Sequence, residues 1–328
     1  MLEVGGLKKI KVIFAVAMAI TLATVLIFKG CLKSAKIEKT EFLFDSVCSI
    51  TVFSRDGEDA LGKAFDEAAR IHSLASFFDD SSDVSKINRA QASQTVKVDK
   101  SIIEMIETAE LVCEKSGGAF DITLAPVSRL WKFDEEDPVP PSKEQISAAL
   151  DVSCKERLIF DKKESTVTKK YSSTKIDLGG IAKGYAADKA AEVLKENGIN
   201  AAIIDFGGNI VALGKNPKRT DGLWKIGLQT PFAPTGECSQ ILETASGAVV
   251  TSGNYQRFFE YQGKVYHHII DPETGTPAVQ NFDSVTVQSK SSALSDCIAT
   301  AAYVLGEERG KALAEELGAS VIFLRGSR

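Results

Sequence analysis

The sequence predicts an α+β protein, with strands in runs and helices set between the runs. Two observations carry this. From Leu158 onward short β-branched runs follow one another, and only two helical patterns, 181–197 and 292–305, interrupt them. Strands grouped this way do not alternate with helices as a doubly wound sheet requires. The composition agrees: 328 residues, 44% hydrophobic and 25% charged, are ordinary for a globular chain of one or two domains.

Taken in order, Phe42–Phe53 is rich in β-branched and aromatic residues and reads as one strand. In Glu58–Phe77, Leu61, Phe65, Ala68 and Ile71 fall on one helical face. Residues 82–88 follow a polar turn. Ile102–Ser116 is a second amphipathic helix, stopped by Gly117 and Gly118. Pro138, Pro140 and Pro141 mark a loop, after which Ser142 and Gln145 have capping-box spacing. Strands follow at Leu158–Asp161, Thr166–Lys169, Lys175–Leu178, Ala201–Phe206, Trp224–Gln229, Gly247–Thr251, Lys264–Ile270 and Ser284–Gln288. A helix at Glu307–Leu317 and a strand at Ser320–Leu324 close the chain.

The net charge of −5 makes a nucleic-acid partner a poor prospect, since that needs a basic face. Six scattered cysteines form no C-x-x-C pair, and three histidines exclude a His-rich metal site. At the N-terminus, Lys8, Lys9 and Lys11 precede Val12–Phe28, which carries no charge and would extend about 26 Å as a helix. Basic residues before an unbroken apolar run are targeting grammar. Gly30 before Cys31 suits a lipoprotein signal, while Lys29 departs from one. The expectation is therefore a lipid anchor at Cys31 or an uncleaved span. Either places the rest of the chain on the extracytoplasmic face of the membrane. Residues 1–31 are then signal or anchor, and 32–41 a polar linker.

Four clusters could carry chemistry. In KIDLGGIAKGYAAD, 175–188, two glycines turn the chain into a helix start with Lys183 in its first turn. This is either a plain junction or an anion site built on free N–H groups. The spacing is neither a P-loop nor a dinucleotide fingerprint. DFGGNI, 205–210, is either a hairpin turn or a ligand loop. In HHIIDPETG, 267–275, His268 and His267 point to opposite strand faces, and Asp271-Pro272 begins a turn. In SDCIAT, 295–300, Asp296 and Thr300 share a helical face. A carboxylate with a hydroxyl suits Mg²⁺, and an acidic residue near a helix start also suits the dipole alone.

Together, in this order and spacing, these clusters resemble the ApbE family of FAD:protein FMN transferases. FDDSSDVSKIN (78–88), GGAFDITLAPVSRLWKF (117–133), WKIGLQTP (224–231) and TSGNYQRFF (251–259) extend the resemblance over 42–328. It implies an α+β fold with mixed or antiparallel sheets, flanking helices and an FAD cleft between subdomains. It also implies Mg²⁺-dependent transfer of FMN from FAD to a Thr or Ser hydroxyl of a target protein, with release of AMP. The acceptor it implies is a membrane redox-complex subunit or an exported flavoprotein. By resemblance Asp296, Thr300 and the Gly180 carbonyl hold Mg²⁺. Phe44, Phe78, Ala119, Phe120, Asp121, Asp177, Lys183 and Ile269 line FAD. His268 is the catalytic histidine, which Asp271 would orient. Phe44-Asp45-Ser46 departs from the family's usual Met-Gly-Thr. The same residues could instead serve an FAD pyrophosphatase or a flavin-binding lipoprotein without turnover.

Overall fold

The computed structural model describes residues 35–153, 158–234 and 236–326. Val12–Phe28, Cys31 and most of the expected linker's first residues lie outside that range. Among the described residues no helix is long and apolar enough to cross a membrane.

A seven-stranded sheet forms the centre. Its order is β1 (Ile37–Leu43), β2 (Ser46–Val52), β6 (Ala202–Phe206), β7 (Asn209–Leu213), β10 (Gly247–Gly253), β13 (Ser284–Ser289) and β14 (Ser320–Leu324). Every neighbouring pair is antiparallel. The expected single strand at 42–53 is a hairpin instead. Phe44 and Asp45 both take φ of 54° and reverse the chain, so that Leu43 faces Ser46. Ile37–Glu41, read as linker, already belong to β1. Their Lys–Glu composition hid the strand, and such charge is what an edge strand carries to avoid stray pairing.

Helices cover one face of this sheet. They are α1 (Glu58–Ala75), α3 (Lys100–Lys115), α6 (Ala182–Glu196) and α7 (Ser292–Leu305), and the shorter α2 (Asp83–Arg89) and α8 (Glu307–Glu316) flank them. The stripe Leu61, Phe65, Ala68 and Ile71 is buried as its spacing requires. The opposite face is covered by the β8 (Trp224–Gln229) and β9 (Cys238–Thr244) hairpin, with Trp224, Ile226 and Leu228 against Ala212 and Val249.

A smaller lobe has its own core of Val127, Trp131, Ile146, Ala149 and Ile270. It comprises α4 (Ala125–Ser128), α5 (Lys143–Leu150) and the hairpin β11 (Phe258–Tyr261) and β12 (Lys264–His267). Ser142 and Gln145 form the expected capping box on α5. β3 (Thr95–Lys97), β5 (Thr166–Lys169) and β4 (Leu158–Asp161) make a separate three-stranded sheet.

Two further expected strands change. Lys175–Leu178 joins no sheet, because side chains and loops take its backbone bonds. The Asn88 amide clamps both Ile176 N–H (2.7 Å) and C=O (2.9 Å), and Asp177 N–H donates to Ile122 O. Lys264–Ile270 stops at His267, since the next residue's N–H bonds to Arg257 O and Ile270 makes only an isolated bridge to Pro277.

Candidate active site

Between the large core and the small lobe lies a cavity of about 790 Å³. That falls within the usual range for a small-molecule site, roughly 300–1,000 Å³. Every site residue named from the sequence lines it except Asp271.

The inner wall is built where α6 and α7 cross. Asp188 of α6 accepts from Ser291 Oγ, Ser292 N–H and Ala293 N–H, and so caps and seats the start of α7. Gly184 lets the helices touch, since a Cβ there would stand 2.4 Å from Ser292 O. This contact aims Asp296 at α6, where its Oδ2 accepts from Gly184 N–H at 3.1 Å. Lys183 Nζ lies 4.0 Å from the same oxygen. Asp296 is 4% exposed, a buried carboxylate. Burial raises its pKa, while Lys183, the Gly184 amide and Asn209 work the other way. One helical turn on, Thr300 Oγ1 meets Ser252 Oγ at 3.4 Å.

This donor set fits Mg²⁺. Among the described residues no three His, Cys, Asp or Glu side chains gather as a cage. Mg²⁺ does not need one, as it is commonly held by one or two carboxylates with water and substrate phosphates. Asp296 supplies the carboxylate, and Thr300 and Gly180 face the same space. A cation would also offset the cost of a buried charge.

DFGGNI resolves to a two-residue hairpin turn between β6 and β7 whose glycines, φ 62° and 91°, border the cavity at Gly207. Asp205 Oδ1 accepts from Gly208 N–H and fixes the turn. On the lobe side, Asp121 caps a 3-10 turn through Thr123 N–H and Oγ1. Phe120 packs where a Cβ on residue 180 would go, 2.9 Å from it.

His268 follows β12 into the cavity. Its Nδ1 lies 3.1 Å from Arg257 O, a carbonyl that can only accept, so Nδ1 carries the proton and Nε2 keeps its lone pair. Burial drives its pKa down to about 4, with the Arg257, His267 and Lys183 charges adding to it and the Arg257 carbonyl opposing. The Arg257 carbonyl, and not Asp271, therefore orients the ring. Asp271 Oδ1 accepts from Glu273 N–H and shapes the turn. His267 is buried the other way, with Nε2 2.9 Å from Ala278 O and its ring against Tyr303.

The arginines of the rim were illegible in the sequence. Arg129 bonds Asp177 (2.6 Å) and Asp134 (3.2 Å) and lies over the rings of Phe77 and Phe78 at 4.4 and 4.6 Å. Arg257 joins Asp134 at 2.8 Å and Asp45 at 3.5 Å. Both arginines sit within quoted motifs, and only their distant partners reveal a role.

The ApbE family model matches residues 44–323. A FAD:protein FMN transferase from Treponema pallidum is 31% identical over 312 residues, covering 90% of this chain and 86% of that protein. The crystal structure of the ApbE protein from Thermotoga maritima superposes with a TM-score of 0.80 at 31% identity, covering 88% of this chain and 94% of the other. The flavin transferase ApbE from Vibrio cholerae gives 0.77 at 29%, covering 88% and 93%.

Proposed function

The chain belongs to the ApbE family and is a flavin transferase, and on that premise we propose Mg²⁺-dependent transfer of FMN from FAD to a protein Thr or Ser hydroxyl, with release of AMP. The observation that carries this reading is one cavity shared by a metal-suited pair, Asp296 and Thr300, and a histidine whose Nε2 keeps its lone pair.

The reaction is a phosphoryl transfer, so positioning and charge neutralisation do most of the work. Asp296, Thr300 and the Gly180 carbonyl would hold Mg²⁺, which neutralises pyrophosphate charge when bound. Lys183 stands beside them as a second cation for the phosphates. Its place in the first turn of α6, awkward for a helix dipole, then has a purpose. His268 Nε2 takes the proton of the acceptor hydroxyl. The hydroxyl oxygen forms a bond to the FMN phosphorus, the bridging P–O bond breaks, and AMP leaves with the bridging oxygen. The anionic pyrophosphate favours a protonated ring and so strengthens the base at the moment it is needed.

A buried carboxylate beside a histidine with a depressed pKa is costly in a protein that only stores flavin, which disfavours the carrier reading. Water in place of the hydroxyl would make the same site an FAD pyrophosphatase, and the exposed rim, with Phe78 67% exposed, leaves it a path. For place of action we propose the extracytoplasmic face, anchored by lipid on Cys31 or by Val12–Phe28. The acceptor is then a membrane redox-complex subunit or an exported flavoprotein.

The test is incubation with FAD, Mg²⁺ and candidate acceptors, followed by denaturing electrophoresis and nucleotide analysis. A fluorescent acceptor band with equimolar AMP is expected. Free FMN and AMP alone would replace the transferase reading by hydrolysis, and unchanged FAD would leave only the carrier.

A further inference from the structure

We infer that His72 is a positioning residue for the flavin site, because its ring clamps the left-handed Phe44–Asp45 turn into the cavity wall. This rests on the flavin reading above for its ligand, and on geometry alone for the clamp. Two hairpin tips lie side by side at the cavity, β1–β2 and β6–β7. The second turns on Gly207 and Gly208, residues that take positive φ freely. The first makes the same kind of two-residue turn with Phe44 and Asp45, both at φ 54°. Such turns select Asn-Gly or Gly-Gly, and a bulky aromatic there is strained unless its surroundings hold it.

His72, in the last turn of α1, supplies the hold. Its Nδ1 accepts Phe44 N–H at 3.2 Å, and its ring meets the Phe44 ring edge-on at 5.0 Å. Asp45 also reaches Arg257 at 3.5 Å, but that pair is exposed and weak. The tip cannot drift without consequence. Phe44 and Ser46 line the cavity, and Ser46 Oγ fills the space beside Gly207, 2.1 Å from where a Cβ would stand. Without the Nδ1 acceptor the Phe44 N–H loses its partner and the turn relaxes, carrying the Phe44 ring away from the flavin.

The experiment is a double-mutant cycle in the full chain, read by FAD titration with Mg²⁺ and by Tm without FAD. His72→Phe keeps a ring and removes the acceptor. It should raise Kd for FAD about tenfold, with the kinetic loss in KM and not in kcat. His72→Asn returns an acceptor and should recover most of the affinity. With Asp45→Gly in the background only Phe44 stays strained and the turn leans less on the clamp, so His72→Phe should cost about threefold instead of about tenfold. Equal affinity for His72→Phe and the unsubstituted chain would overturn the inference. So would a loss of the same size with and without Asp45→Gly. If His72→Phe alone fails to fold, Asp45→Gly must restore folding, and failure to do so also overturns the clamp. The Tm cycle separates the two readings. An unsubstituted chain that binds no FAD refutes the flavin site, while coupling between positions 72 and 45 in Tm still decides the clamp.

Discussion

At the inner end of the cavity Asp296 is tied to a backbone amide of a neighbouring helix, whereas at the rim Arg129 and Arg257 hold Asp45 and Asp134 by side chains alone. The inner groups are buried between two helices locked by Gly184 and Asp188. The Arg257 pairs at the rim are exposed, and exposed ion pairs contribute only about 0–1 kcal/mol each. The end suited to phosphate and metal is thus rigid, and the outer end, with its exposed Arg257 pairs, is adjustable. Preorganisation belongs where charge is stabilised, and compliance where a large substrate docks.

The largest expected effect tests the inner end. Asp296→Ala should reduce Mg²⁺-dependent turnover to background in either assay, FMN transfer or AMP release. Its Tm should hold or rise, because a carboxylate whose pKa is raised by burial costs stability when ionised at neutral pH. Full turnover at limiting Mg²⁺ would remove Asp296 from the metal site.

Next comes the base. His268→Ala should lower transfer by about 10²–10⁴-fold, with FAD binding far less affected. His267→Ala should spend its effect on Tm, since that ring bonds Ala278 O and accepts Ile269 N–H. The neutral ring is the active form and its pKa is depressed to about 4. Transfer should therefore fall only as pH drops through that region, so the acid limb of kcat/KM lies below the ordinary histidine value of about 6.5. A limb at or above that ordinary value would mean that the free enzyme's ring is not shielded.

Gly184→Ala probes how rigid the inner end is. A methyl 2.4 Å from Ser292 O forces α6 and α7 apart and should cost about 10–10²-fold in kcat. Gly62→Ala, in α1 with nothing within 4 Å of the added Cβ, is the control and should raise stability by about 0.4–1 kcal/mol. If both behave alike, the helix crossing does not set the site.

At the rim, Asp134→Asn should change KM for FAD by less than about fivefold, as two exposed pairs are weakened. A larger effect would make the rim as preorganised as the interior. The smallest effect should follow deletion of residues 1–31, which removes no described strand and should leave Kd for FAD within about twofold. Deleting through Leu43 takes away β1 and exposes the edge of β2, so that chain should lose Tm and aggregate.

By itself the sequence determined the elements whose signal is local. The stripe of α1, the capping box of α5, α7 at Ser292–Leu305 and β14 at Ser320–Leu324 all lie where periodicity and caps put them. It also determined the motif clusters, because backbone turns and helix starts are written in adjacent residues. Tertiary structure alone decided which charged and polar groups meet. His72 finds Phe44 across 28 residues, Arg129 finds Asp177 across 48, and Gly184 finds Asp296 across 112. It also decided that polar β1 pairs as an edge strand, that Lys175–Leu178 is pinned by Asn88 and not by a neighbouring strand, and that a carbonyl, not Asp271, orients His268. The physical reason is range. Hydrophobic period and turn chemistry act over a few residues, whereas a hydrogen bond between distant side chains exists only once packing has brought their backbones together.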